Sequence, residues 1–250
     1  MTLQVALLGP VRAFVGDTPV AVGSPAQRAV LAALVLADGR IVAVSDLVDL
    51  LWPAGPPRTA VTKVQGHVWS LRKALGAAGD DDPAATIRTV PPGYAVDRRD
   101  LSTDVSAFDH LVARAEALAV DGELDCASQG YAQALDLIRG GVLADLPETR
   151  GRLGADDLDD RVCAALEARA EVDLRRGRAR DALDALGPAM RANPFRDRVH
   201  ELSIRALVEL GRPADAIASY RRCRELYRDE LGIEPSESLR SLVDTIGRSA

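Results

Sequence analysis

Leu174, Gly177, Arg178, Ala182 and Leu183 recur as Val208, Gly211, Arg212, Ala216 and Ile217, each displaced by 34 residues. A repeat of that length holds two helices and a turn, and each pair has an apolar face that only a neighbouring pair can cover. The second half of the chain is thereby restricted to stacked helix pairs. A weaker copy starts at Gly122 in GELDCASQGYAQAL, with Gly130 and Tyr131 in its second helix. Hydrophobic residues make up 47% of the chain but aromatic ones only 4%, so the core is built mainly from Ala, Leu and Val. Tyr131 and Tyr220 are expected to pack between helices.

The first hundred residues follow a different pattern. They carry ten basic groups against nine Asp and no Glu, whereas the remainder has 21 basic against 28 acidic groups. A near-neutral, Pro- and Gly-rich part followed by an acidic helical part predicts two domains, 1–97 and 98–250, and a length of 250 residues agrees with that. Short β-prone runs at Leu3–Leu8, Val11–Val15 and Val20–Val22, separated by Gly9-Pro10 and Gly16-Asp17, predict a small antiparallel sheet. Ser24 caps a first helix with Pro25 at its first position, and Ser45 caps a second that Pro53 stops. A third helix opens after Pro56-Pro57 and runs from Arg58 to Gly76. Asp80 to Pro83 reads as an acidic loop. Ile87–Val90 and Tyr94–Val96 then flank Pro91-Pro92-Gly93 as a hairpin, with Gly93 supplying a positive φ. The expected order is β-β-β-α-α-α-β-β, a winged helix preceded by a sheet.

The third helix carries the functional signal. Leu50 to Gly79 contains no Asp or Glu, yet it holds Arg58, Arg72 and both lysines of the chain, Lys63 and Lys73. Val61, Val64, Val68, Leu71 and Leu75 at helical spacing predict one buried stripe. The opposite side presents Thr59, Thr62, Lys63, Gly66, Ser70 and Lys73, flanked by Arg58, Trp69 and Arg72. A cationic helix face free of acids suits a polyanion, and a helix fits the major groove, where Lys or Arg reaches phosphates or guanine edges. Gly66 costs about 1 kcal/mol against Ala in mid-helix, which points to close approach of another backbone. Trp69 is expected to brace the helix against the sheet. Arg88 on the hairpin is placed to meet an adjacent minor groove, and Gly93 in its turn completes the DNA-contacting set.

Other chemistries find little support. Cys126, Cys163 and Cys223 lie far apart without metal-ligand spacing and read as small apolar fillers on helices. His67, His110 and His200 are scattered, no Gly-rich phosphate loop follows a strand, and Asp80-Asp81-Asp82 lacks the pattern of a calcium loop. Neither an enzyme nor a metal or organic cofactor is expected. No apolar run approaches the ~20 residues of a membrane helix, and the N-terminus reads as a strand, not a signal peptide, so the expected location is the cytoplasm. The acidic group Asp156, Asp157, Asp159 and Asp160 reads either as N-terminal charge on a helix or as a contact for a partner.

Three segments resemble one family. IRTVPPGYAV resembles the wing of the OmpR-type DNA-binding domain. PPRTAVTKVQGHVWSLRKAL is similar to the recognition helix of the Streptomyces antibiotic regulatory proteins. GVLADLP, ELGIEPS and the helices around them resemble the bacterial transcriptional activation domain of those regulators. The resemblance implies an OmpR-like α+β winged helix-turn-helix followed by an all-α, tetratricopeptide-like domain. It also implies a transcriptional activator that binds direct repeats near biosynthetic promoters, self-associates there and recruits RNA polymerase holoenzyme. Trp69, Ser70 and His67 depart from the family pattern. Two other readings are a protein-interaction adaptor with the winged helix as a docking module, and the N-terminal part of a larger multidomain regulator.

Overall fold

The structure is a computed structural model that describes residues 2–249. Alternating apolar residues open the chain as strands β1 (Leu3–Ala6), β2 (Arg12–Val15) and β3 (Thr18–Val20), with Leu3, Val5, Ala13 and Val15 turned into the core. Helix α1 (Pro25–Leu36) starts as the sequence predicts. Ser24 Oγ accepts from the Gln27 N–H while Gln27 Oε1 accepts from the Ser24 N–H, a reciprocal cap.

A two-residue strand, β4 (Val42–Ala43), then leads directly into α2 (Val44–Leu51). Ser45 is not the cap. It lies inside the helix with its hydroxyl on Asp46, and the first N–H, that of Val44, goes instead to the Pro92 carbonyl at 3.2 Å. Next come α3 (Ala60–Ala77) and a single turn, α4 (Pro83–Thr86), where the sequence reads as acidic loop. Asp82 makes this turn by accepting from the Ala85 N–H. Strands β5 (Ile87–Val90) and β6 (Gly93–Val96) form the hairpin, and a 3-10 turn leads to β7 (Leu101–Thr103) and α5 (Asp104–Val120).

Two sheets result, β3-β2-β1-β7 and β4-β6-β5. The first is antiparallel except that β7 pairs parallel with β1, an edge the sequence reading lacks. Gly93 does not adopt a positive φ. It sits in β6 opposite Ala43, where a Cβ would lie 1.8 Å from the Val42 carbonyl oxygen, so the glycine serves close strand approach, not the turn.

Packing gathers the chain into two compact units, one of residues 1–110 with 136–160 and the other of 111–135 with 161–250. Within the first, the segment around Leu143 runs beside the extension of β1. The Arg139 and Leu143 N–H groups reach the Leu8 and Leu7 carbonyls at 2.7 and 3.0 Å, and Val142, Leu143 and Leu146 are buried. Asp145 accepts from the Val11 N–H and pairs with Arg28 at 2.6 Å. Asp104 accepts from the Leu7 and Leu8 N–H groups, and burial raises its carboxyl pKa despite those bonds. Arg152 spreads its fork on the Leu50 carbonyl at the end of α2, at 3.1 and 3.0 Å, a favourable place for a cation.

The second unit holds the rest of α5, then α6 (Leu124–Leu135), most of α7 (Ala155–Arg175), α8 (Ala179–Ala192), α9 (Asp197–Glu209), α10 (Pro213–Leu231) and α11 (Glu237–Ser249). The 34-residue period has a physical meaning here. Gly122, Gly177 and Gly211 take φ of 84°, 70° and 70°. After each, the next N–H turns back five residues, from Glu123 to Leu118, Arg178 to Asp173 and Arg212 to Leu207. That bond closes the helix and starts its partner. Small residues set the spacing: a Cβ on Gly130 would meet Ala115 at 3.0 Å, and Ala170, Ala179, Ala182, Ala189 and Ala206 join Leu186 and Leu202 in one core. Tyr131 is buried and Tyr220 packs at the edge of a second cluster around Leu239. Cys163 and Cys223 are buried fillers as expected, but Cys126 is exposed.

Candidate nucleic-acid interface

Helix α3 buries Ala60, Val64, Val68, Leu71 and Leu75, while Val61 is 51% exposed. The expected stripe is thus correct from Val64 onward and begins one residue too late. Ala60 lies four residues before Val64 and takes the core position, which turns Val61 outward. At about 100° per residue the direction opposite this stripe passes through Thr62, Gly66, Trp69 and Lys73. All four are exposed, Trp69 at 63%, so the indole does not brace the helix. The sequence reading sets Trp69 on the flank of the apolar stripe, where it could pack, but with Ala60 in the core its angle on the helix decides against that.

The cations on this face meet rings instead of acids. Lys63 Nζ stands 5.9 Å from the centroid of Trp52, and Lys73 Nζ 5.4 Å from that of Trp69. Such contacts contribute about 0.5–1 kcal/mol at exposed sites and leave the charge unneutralised. Among the described residues neither lysine forms an ion pair. The first turn of α3 also holds no acid, and Thr59 at its cap makes no side-chain capping bond. Arg58 and Thr59 are both exposed just ahead of the helix. The Ala60 N–H is taken by the Pro57 carbonyl and the Lys63 N–H by the Thr59 carbonyl, each at 2.9 Å, so this end of the helix offers Arg58 the positive end of the helix dipole without a nearby acid. Gly66 has no atom within 4 Å of a would-be Cβ, so the surface there is open, and Ser70 lies half-buried on its flank. His67 is held below its usual pKa first by burial and then by Lys63.

Two residues of the expected set turn inward. Arg72 donates to the Ile87 carbonyl from Nε and Nη2 at 3.0 and 2.6 Å and to Thr89 Oγ1 at 2.8 Å, with its Cζ 5.9 Å from the Tyr94 ring. It fastens α3 to the hairpin. Gly93 is buried in the β4-β6 pairing. Arg88 is exposed on β5 and lines a hollow of about 370 Å³ with Asp80, Asp81, Asp82, Asp97 and Arg99. Asp97 is kept ionised below the ordinary carboxylate range chiefly by hydrogen bonds from Arg99, with a smaller contribution from the charge of Arg88. The structure thus collects Thr62, Lys63, Gly66, Ser70 and Lys73 on one helix, with Arg58 and Thr59 at its start. Arg88 sits apart, among acids.

Among the described residues, no group of three or more His, Cys, Asp or Glu is gathered as for a metal ion, and no helix is long and apolar enough to cross a membrane.

Comparison with known proteins agrees with this layout. Residues 18–96 match the family described as transcriptional regulatory protein, C terminal, and residues 103–246 match the bacterial transcriptional activator domain. The chain is 34% identical over 253 residues to the regulatory protein DnrI of Streptomyces peucetius, covering 99% of this chain and 93% of DnrI. It is 36% identical over 247 residues to the regulatory protein AfsR of Streptomyces coelicolor, covering 98% of this chain but 24% of AfsR. A solved structure of Mycobacterium tuberculosis EmbR in complex with a low affinity phosphopeptide superposes with a TM-score of 0.86 at 34% identity, over 99% of this chain and 65% of that one. An acid-free helix fastened to a hairpin, helix pairs at a 34-residue period and matches along nearly the whole length place the chain in the Streptomyces antibiotic regulatory protein family, transcriptional regulators with an OmpR-type DNA-binding domain and a bacterial transcriptional activator domain.

Proposed function

We propose that this chain is a sequence-specific, DNA-binding transcriptional activator of a secondary-metabolite gene cluster, acting in the cytoplasm without cofactor or catalysis. Residues 1–97 supply the DNA-contacting module and 98–250 the activation domain. The observation that carries the reading is the face of α3: two lysines without acidic partners among the described residues, beside a helix start that holds no acid and no side-chain cap. A helix bearing such a face lies in the major groove, with Lys63, Lys73, Thr62, Ser70, Thr59 and Arg58 on phosphates and base edges and Gly66 giving the close approach. Arg72 and Gly93 act one step back, by fixing the wing against the helix. Arg88 approaches the flanking minor groove from the wing. Copies of the chain associate on direct repeats, and the helix pairs of the second half meet RNA polymerase holoenzyme.

The test is a gel-shift titration of the folded Lys63→Ala, Lys73→Ala double variant on promoter duplex at several salt concentrations. Loss of two phosphate contacts lowers affinity and makes the log–log salt slope shallower by about 1.8. An unchanged affinity and slope would remove α3 from the interface.

A further inference from the structure

We infer that Trp69 reads the C5-methyl group of a thymine in the major groove. The inference rests on the placement of α3 in that groove and goes beyond it by naming a base and the side chain that selects it.

Trp69 is 63% exposed and is the largest of the exposed apolar side chains among the described residues. Trp69 lies within the same quarter of the helix as Thr62, Gly66 and Lys73, on the side opposite the buried stripe. Two features prepare it for DNA. Helical side chains lean toward the preceding turn, and the residue three positions back is Gly66, beside which nothing stands within 4 Å. The indole thus has open space toward the helix start. On its other side Lys73 Nζ stands 5.4 Å from the ring centroid, so a cation suited to phosphate and an apolar plate suited to a base are presented together.

The chemistry of the indole selects what it meets. It offers one N–H donor, no acceptor and a large apolar face. It therefore cannot supply the bidentate pairs that identify guanine or adenine or the acceptor that cytosine needs. The apolar group in the major groove of the four ordinary base pairs is the thymine methyl. A 5-methylcytosine offers the same methyl.

The experiment begins with duplexes selected by the wild-type protein from a randomised library, in which each thymine is then replaced in turn by deoxyuridine, removing only the methyl group. Wild-type protein is expected to lose about fourfold in affinity at one thymine per half-site, the value of one buried methyl. Trp69→Ala, whose thermal stability stays at the wild-type value because the side chain is exposed, loses about tenfold on the thymine duplex and no longer distinguishes thymine from uracil. Val61→Ala, also exposed but about 120° round the helix from Lys73, keeps the distinction. If no single replacement weakens the wild type, or if Trp69→Ala still discriminates, thymine reading by Trp69 is overturned while DNA binding stands. A library that yields no bound duplex at low salt overturns the groove reading, and this inference with it.

Discussion

In the second compact unit Arg176, Arg198, Arg205 and Arg224 each reach a carboxylate, on Asp173 and Asp125, Glu171 or Glu234, whereas on α3 Lys63 and Lys73 lie over rings. The difference is one of availability. A guanidinium already answered by a carboxylate holds helices in register and has little left for a phosphate. A lysine over an aromatic face keeps its whole charge and waits for a partner from outside. A net charge of −6 is therefore compatible with a DNA-binding surface, because the acids lie elsewhere.

If that division of labour holds, mutations in the two regions separate stability from binding. The deepest effect is expected at Asp173, which is 1% exposed and accepts from Ser128 and Arg176 at 2.7 Å. Asp173→Ala takes the acceptor from the Ser128 hydroxyl and one of the two carboxylates from Arg176, which keeps Asp125, and lowers the unfolding free energy by about 3 kcal/mol in urea titration, while the molecules still folded bind DNA as before. A loss of DNA affinity in that folded fraction would break the comparison.

Arg72→Leu comes next. It strips partners from Ile87 O and Thr89 Oγ1, costing about 2 kcal/mol, and here affinity falls as well because the wing is no longer fastened to α3. Arg72→Lys recovers little, since one ammonium cannot reproduce the fork. Recovery of both properties by lysine would mean that charge alone matters at this position.

Gly66→Ala is expected to act in opposite directions on the two properties. With open space around the new methyl, helix propensity raises stability by about 1 kcal/mol, yet the methyl weakens the complex by holding the backbone off the DNA. A variant that is both more stable and binds as tightly would remove any need for glycine there.

The mildest change concerns pH. Glu234 is paired with Arg224 at 2.7 Å and its pKa is lowered first by that hydrogen bond, then by the charges of Arg224 and Arg228. A carboxylate depressed in the folded state contributes stability above its unfolded pKa and loses it as pH falls through the folded one. Thermal denaturation of Glu234→Gln should accordingly give a slightly lower midpoint than wild type near neutrality and converge with it at acid pH, so that the variant's acid limb is flatter. An identical limb would show that the pair is not coupled to folding.

Local signals carried much of this into the sequence. The recurring glycines at 177 and 211, the Ser24 cap and the stripe from Val64 to Leu75 all depend on near neighbours, and the structure places helix ends at the glycines, the cap at Ser24 and the stripe in the core. What escaped depends on distant chain. The pairing of β7 with β1, the steric need for Gly93 beside Val42 and the docking of Arg72 on β5 join residues that nothing in the local pattern links. At the interface, the lysine face was legible because acids are missing from it. Trp69 was misplaced because the stripe was started at Val61 instead of Ala60, which rotates the inferred core toward the indole.

The segment beside β1 has a practical consequence for dissecting the protein. Residues 136–160 belong to the first unit while 111–135 belong to the second, so the chain crosses between the units three times. No single cut separates them. A fragment ending at residue 97 would lack β7, Asp104 and the Leu143 segment, leaving the Leu7 and Leu8 amides and carbonyls without the partners they have in the whole chain. Such a fragment is expected to aggregate through that bare edge, whereas joining residues 1–110 to 136–160 by a short linker in place of 111–135 preserves every one of those bonds.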